Sequence, residues 1–295
     1  MMMASLFSEI AHFFLFEETP SISLSFFRVL VGFLMLSEAW QWYFSNQNFV
    51  SANGFFDIET FKKTKAQSHF TLLNFLPKND GSVKLIIGLQ ATFAVFMILG
   101  IFPQLAAFFC FLATVSLINR NPEIFDASDH IRRFFCFFMI FANTGSQLSV
   151  LSVDDFWQLE RQTWPWLLFL IQFFMAHIYF KNVLFKLFGK AWRNGTATEH
   201  VFHVHIWNRF ELPQILQKKW FYKLSTYGTL IIETALFTLI WVEGLHIWVV
   251  GIGILFHLLL GLFLRIGFFQ ATMIVGLSVF IPPQYLVEFL NWAFY

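Results

Sequence analysis

The sequence predicts an all-α integral membrane protein, a polytopic bundle of about eight transmembrane helices with no large soluble domain. Three observations predict it. Of 295 residues, 57% are hydrophobic and only 13% charged, where a soluble domain carries about 25% charged residues. The mean hydropathy is +0.63. The apolar residues also gather into runs of roughly twenty, the length that crosses a bilayer core. Nineteen Lys plus Arg and eighteen Asp plus Glu cannot coat a water-soluble chain of this length. The net charge of +1 offers no footprint for nucleic acid.

Backbone polar groups find no partner in lipid, so complete helices must make each crossing. The runs place these helices near 22–43, 82–102, 104–119, 130–148, 164–182, 224–243, 246–264 and 267–285. Pro103 separates the second from the third, and Arg265 joins the seventh to the eighth. The fourth begins with Arg132 and Arg133. Ahead of them, Leu6 to Phe16 is apolar but interrupted by Glu9 and His12, and reads as an interfacial helix. The connections 44–81 and 183–223 mix aromatics with charge, as at Trp207-Asn208-Arg209, and read as membrane-apposed loops. No repeat or linker divides the chain, so 1–295 is expected to be a single membrane domain.

Basic residues segregate among the connections. If eight helices cross, Lys62, Lys63, Lys65, Lys78, Lys84, Arg120, Arg132, Arg133, Lys181, Lys186, Lys190, Arg193, Arg209, Lys218, Lys219, Lys223 and Arg265 share one side, and only Arg161 lies on the other. The positive-inside rule would then make the basic side cytoplasmic.

Ionisable residues in membrane helices are costly and usually functional. The apolar runs contain Arg28, Glu38, His130, His177, Glu233 and His257. Singly, each could snorkel or brace a helix contact; together they need shared partners. Lys186 stands out, because a continuing helix puts Tyr179, Asn182 or Val183, and Lys186 on one face. A lysine at a half-dry helix end loses hydration, which favours its neutral amine and makes it available as a base. The plainer alternative is a lysine that snorkels to the headgroups.

Asp126, Asp129, His130 and Arg133 have helical spacing, with Asp126–His130 and Asp129–Arg133 both i,i+4. An ion-pair network at a helix entrance is the ordinary reading, and a metal site is the less ordinary one. Glu199, His200, His203 and His205 lack a spacing that fixes a complete ligand set. Cys110 and Cys136 sit in apolar runs and read as core residues. No nucleotide loop, CxxC pair or nucleophile elbow occurs. Asn194-Gly195-Thr196 is formally a glycosylation sequon.

The order of four segments resembles the horizontally transferred transmembrane domain (HTTM) family. This family includes vitamin K-dependent γ-glutamyl carboxylases and membrane proteins of the sporulation-delaying type. The segments are Phe27 to Glu38, Asn119 to His130, Ile178-Tyr-Phe with Lys186 and Trp192-Arg-Asn-Gly-Thr-Ala197, and Phe256-His257 with Ile266-Gly267 and Phe269. The resemblance runs from about Ser25 to Pro283. It implies that Lys186 corresponds to the carboxylase base that deprotonates vitamin K hydroquinone, and that His130 and His257 match two carboxylase histidines. The reduced quinone and dioxygen would then give a strong base for γ-proton removal and carboxylation. With the cost of isolated polar groups in lipid, it leads us to expect a quinone pocket that also includes Arg28, Tyr179, Trp192 and Glu233, with Asp126, Asp129 and Arg133 as a structural polar network. No metal or nucleotide is expected.

The carboxylase's large extra-membrane domain has no counterpart expected in these 295 residues. The family's carboxylase also places its lysine outside the cytoplasm, opposite to the charge count above, and both orientations stay open. The lipid bilayer, a peptide or protein substrate and a membrane-complex subunit are the partners to expect, with a bacterial inner membrane as location. The competing reading is a non-catalytic membrane subunit, or a maturation partner for a secreted peptide.

Overall fold

The computed structural model describes residues 19–51, 54–55, 70–121, 124–145, 147–152 and 162–294. The interfacial helix expected over Leu6 to Phe16, Arg161, and Lys62, Lys63 and Lys65 lie outside the described residues, as does much of 44–81. The chain forms two compact units, Met1–Leu168 with Pro283–Tyr295, and Phe169–Pro282.

In unit 1, α1 (Ile22–Gln41) packs on α2 (Asp80–Leu99), α2 on α3 (Pro103–Arg120), and α3 on α4 (Ala127–Ile140). Thr19–Pro20 pairs antiparallel with Gln162–Thr163, the one sheet among the described residues. Gly32 makes the first contact close: a Cβ there would lie 2.7 Å from Ile98 Cγ1 and 3.1 Å from the Ala94 carbonyl. Small residues at such points let membrane helices approach. Asn79 caps α2 by accepting from the Ser82 amide at 3.0 Å. Pro103 opens α3, where its missing amide costs nothing.

Unit 2 takes in most of α5 (Pro165–Phe188). Short helices α6 (Lys190–Arg193) and α7 (Ala197–Phe202) follow it. Next come α8 (Lys219–Thr238), α9 (His246–Phe263) and α10 (Phe269–Leu277). α7 and α9 pack against α8, and α10 against α9. The connection 183–223 is thus partly helical and folded onto α8.

Among the described residues, six helices are long and apolar enough to cross a membrane. A seventh crossing arises if Phe269–Phe280 and Pro283–Ala293 count as one broken span. The protein is therefore an integral membrane protein of the expected class. Two expected spans differ in detail. The fourth is a 14-residue helix, Ala127–Ile140: Asp126 caps it ahead of the expected start, and Asn143, Thr144 and Gly145 end it early. The eighth is interrupted at Pro282 and Pro283. The assignment of all basic connections to one face required eight crossings and does not follow from six or seven.

Candidate functional site

Lys186 lies in the last turn of α5, on the face that also carries buried Tyr179 and Val183. Its ammonium nitrogen donates to both oxygens of the Glu233 carboxylate, which projects from α8. The two side chains are 20% and 7% exposed. The indole of Trp192, on α6, sits 4.8 Å from Lys186 Nζ, within cation–π range.

The local chain explains why Trp192 is there. The Gly189 amide donates to the Lys186 carbonyl at 2.9 Å as α5 ends, and α6 starts again one residue later. Gly195 then takes a φ of +74°, and a Cβ on it would meet Lys223 Cγ at 2.8 Å and the Tyr227 ring at 3.2 Å. The Tyr227 hydroxyl donates to the Arg193 carbonyl at 3.0 Å. The Trp-Arg-Asn-Gly-Thr string is therefore a compact turn that clamps α6 to α8 and holds Trp192 at Lys186. Gly195→Ala combines a left-handed backbone with a steric clash. We expect it to destabilise the protein by about 2 kcal/mol, read as a lower unfolding temperature in detergent.

A second group in the same unit is a hydrogen-bonded chain. The Tyr179 hydroxyl lies 2.9 Å from His257 Nε2, and His257 Nδ1 lies 2.5 Å from Gln270 Oε1. The Gln270 carbonyl can only accept, so Nδ1 holds the ring proton and Nε2 accepts from Tyr179. All three residues are buried. Tyr179 and Lys186 lie on one face of α5, so the two groups are neighbours along that helix. The structure thus brings together five candidates read from the sequence: Lys186, Glu233, Trp192, Tyr179 and His257. It adds Gln270, which no spacing announces because its partner is thirteen residues away on another helix.

The remaining candidates belong to unit 1. Arg28 is fully buried and donates to the backbone carbonyls of Thr144, Gln147 and Leu148. It ties α1 to the turn after α4. His130 is exposed in the first turn of α4. Asp126 caps that helix, accepting from the Ser128 amide at 2.7 Å and the Asp129 amide at 3.3 Å, while Asp129 accepts from the Asp126 amide at 2.9 Å.

One expected pair is corrected. Asp129 binds Arg132, not Arg133. Arg132 also reaches Glu38 on α1 at 3.4 Å and Ser128 Oγ at 2.9 Å, and Gln90 donates to Glu38 at 2.7 Å. Spacing alone allows either arginine. The deciding partner, Glu38, comes from a distant helix. The Arg133 guanidinium instead lies 5.6 Å from the Phe134 ring.

Among the described residues, no three His, Cys, Asp or Glu side chains come together as a metal site. His203 Nδ1 bonds the Glu199 carbonyl at 2.7 Å. His203 and His205 line a cleft of about 310 Å³ with Asn208, Glu211 and Tyr222. His177 lies in an apolar groove of about 450 Å³ between Phe173, Phe180, Phe237 and Trp241. Cys110 and Cys136 are free and buried.

The profile of the family described as the HTTM domain matches residues 16–285, nearly the whole chain. No curated protein and no solved structure matches the chain.

Proposed function

The chain is a member of the HTTM domain family, and on that footing we propose that it is a membrane enzyme that works on a reduced, vitamin K-like quinone. In this reading the buried cluster of unit 2 takes up a proton in an oxygen-dependent, carboxylase-like reaction. The observation that carries it is the Lys186–Glu233 pair beside the Tyr179–His257–Gln270 chain, with Lys186, Glu233, Tyr179 and His257 all on helices long and apolar enough to cross a membrane. Isolated polar groups are costly at that depth, and this set combines donors, acceptors and a cation.

The residues fit a quinol. The Tyr179 oxygen and the Lys186 nitrogen offer groups that can bond a ring hydroxyl, His257 fixes Tyr179, and Trp192 offers an aromatic face. Bound there, a quinol would supply the reducing equivalents for reaction with dioxygen. The chain's own part is to hold the ring, exclude water and accept a proton. The Lys186–Glu233 pair is neutral overall, whether the proton between them sits on nitrogen or oxygen. Uptake of one more proton gives the same product in both cases, an ammonium beside a carboxylic acid. The Tyr179 hydroxyl, fixed by His257 Nε2, orients the ligand and can pass a proton to the ring nitrogen. Dioxygen uptake on addition of reduced menaquinone to the purified protein tests this reading. Tyr179→Phe should lower the rate roughly tenfold to a hundredfold while leaving the fold intact; an unchanged rate would remove Tyr179 from the site.

A second reading has its own supporting observation. The Glu233 carboxylate meets Lys186 through both oxygens, which suits a brace between α5 and α8 in a non-catalytic membrane subunit or peptide-maturation partner. Lys186→Arg separates the two readings.

A further inference from the structure

One end of unit 2 gathers cations that meet no carboxylate among the described residues. Lys190 and Arg193 follow the last residue of α5, and Lys219 and Lys223 occupy the first turns of α8. All four are exposed. Lys186 is the cation of 181–223 that forms an ion pair among the described residues, with Glu233. That stretch contains eight Lys plus Arg against two acids, Glu199 and Glu211.

The fold itself concentrates the charge. The bond from Tyr227 to the Arg193 carbonyl and the close approach of Gly195 to Lys223 press α6 onto the start of α8. Lys190 and Arg193 are i,i+3 and Lys219 and Lys223 are i,i+4, so each pair shares a helix face, where like charges repel. A polyanion would offset that cost. The α8 span opens at Lys219 and α6 packs on that opening, so the cations lie at the membrane-surface end of α8. Phe188 is 80% exposed and Trp220 58% exposed beside them.

We infer that this end of unit 2 binds the phosphate headgroups of anionic membrane lipids, with Phe188 and Trp220 seated in the acyl region beneath. An acidic peptide would neutralise the cations but leave both rings in water. A lipid satisfies charge and ring together, as basic residues and aromatic belts do at membrane surfaces.

The test uses the full chain in detergent, titrated with short-chain phosphatidylglycerol or phosphatidylcholine and read by native mass spectrometry. Phosphatidylglycerol should bind more tightly, by roughly fivefold per engaged cation at low salt, and the gap should narrow as salt is added. Lys219→Gln with Lys223→Gln should weaken phosphatidylglycerol by roughly ten- to thirtyfold and leave phosphatidylcholine unchanged. Lys190→Gln with Arg193→Gln should do the same from α6, and this second pair decides the matter if the first perturbs folding by circular dichroism. Equal binding of the two lipids by the unaltered protein would overturn the inference. So would a preference that survives both double variants. A poly-glutamate peptide that binds without lipid and displaces phosphatidylglycerol would reassign the surface to acidic peptides.

Discussion

Lys186→Arg is expected to fold, to keep its contact with Glu233, and to lose quinol-dependent oxygen uptake by about a hundredfold or more, the usual contribution of a positioned base. Arginine preserves one property of the lysine and removes another. It keeps the positive charge, so the buried carboxylate of Glu233 stays paired and the α5–α8 contact survives. It cannot become neutral, and its planar fork holds both carboxylate oxygens in a fixed bidentate geometry. The neutral amine is then lost as a proton acceptor, and a Glu233 carboxylate held by the guanidinium fork is a weaker one. Lysine differs on both counts, because its amine can deprotonate and can swing on a flexible stem. Oxygen uptake, quinone content and thermal unfolding should be measured on the same preparation. Loss of uptake with normal unfolding and normal quinone content is the expected pattern. Full uptake in Lys186→Arg would reduce the pair to a brace and favour the non-catalytic reading.

The largest effect on stability should come from Arg132→Met in unit 1. Arg132 is 3% exposed and contacts both Asp129 and Glu38, which are themselves buried. Methionine fills similar volume but leaves two carboxylates without their cation. Removing one partner of a buried pair typically costs about 3–5 kcal/mol, and here two acids lose it at once. We expect a marked fall in the detergent unfolding temperature, or failure of the protein to accumulate. Adding Glu38→Gln to Arg132→Met should recover part of the loss, since one uncompensated charge then disappears. A variant as stable as the parent would mean that the network contributes nothing to the fold.

The membrane class was legible because run length and charge depletion are local properties. Span number was less so. The run 130–148 reads as a span by composition, yet the Asn143-Thr144-Gly145 break ends the helix at Ile140 and leaves it 14 residues long. The candidate site was legible in its residue types. His257 and Glu233 were visible as ionisable groups in apolar runs, and Lys186 and Tyr179 as one helical face within a segment that resembles the family. Their pairing was not legible, because α5, α8, α9 and α10 bring together residues 13 to 78 positions apart. Gln270 and Gln90 were missed for the same reason: an uncharged amide gives little sequence signal, and its meaning depends on the partner opposite. The resemblance puts Arg28 in the pocket, whereas the structure engages it with three backbone carbonyls of unit 1.

The central claim is that unit 2 handles a reduced quinone, and the most direct measurement is solvent extraction of the purified protein followed by mass spectrometry. The account predicts a prenylated quinone in stoichiometric amount, retained in Lys186→Arg and depleted when Tyr179→Phe is combined with His257→Leu. Preparations free of quinone, which also fail to bind added reduced menaquinone, would contradict it.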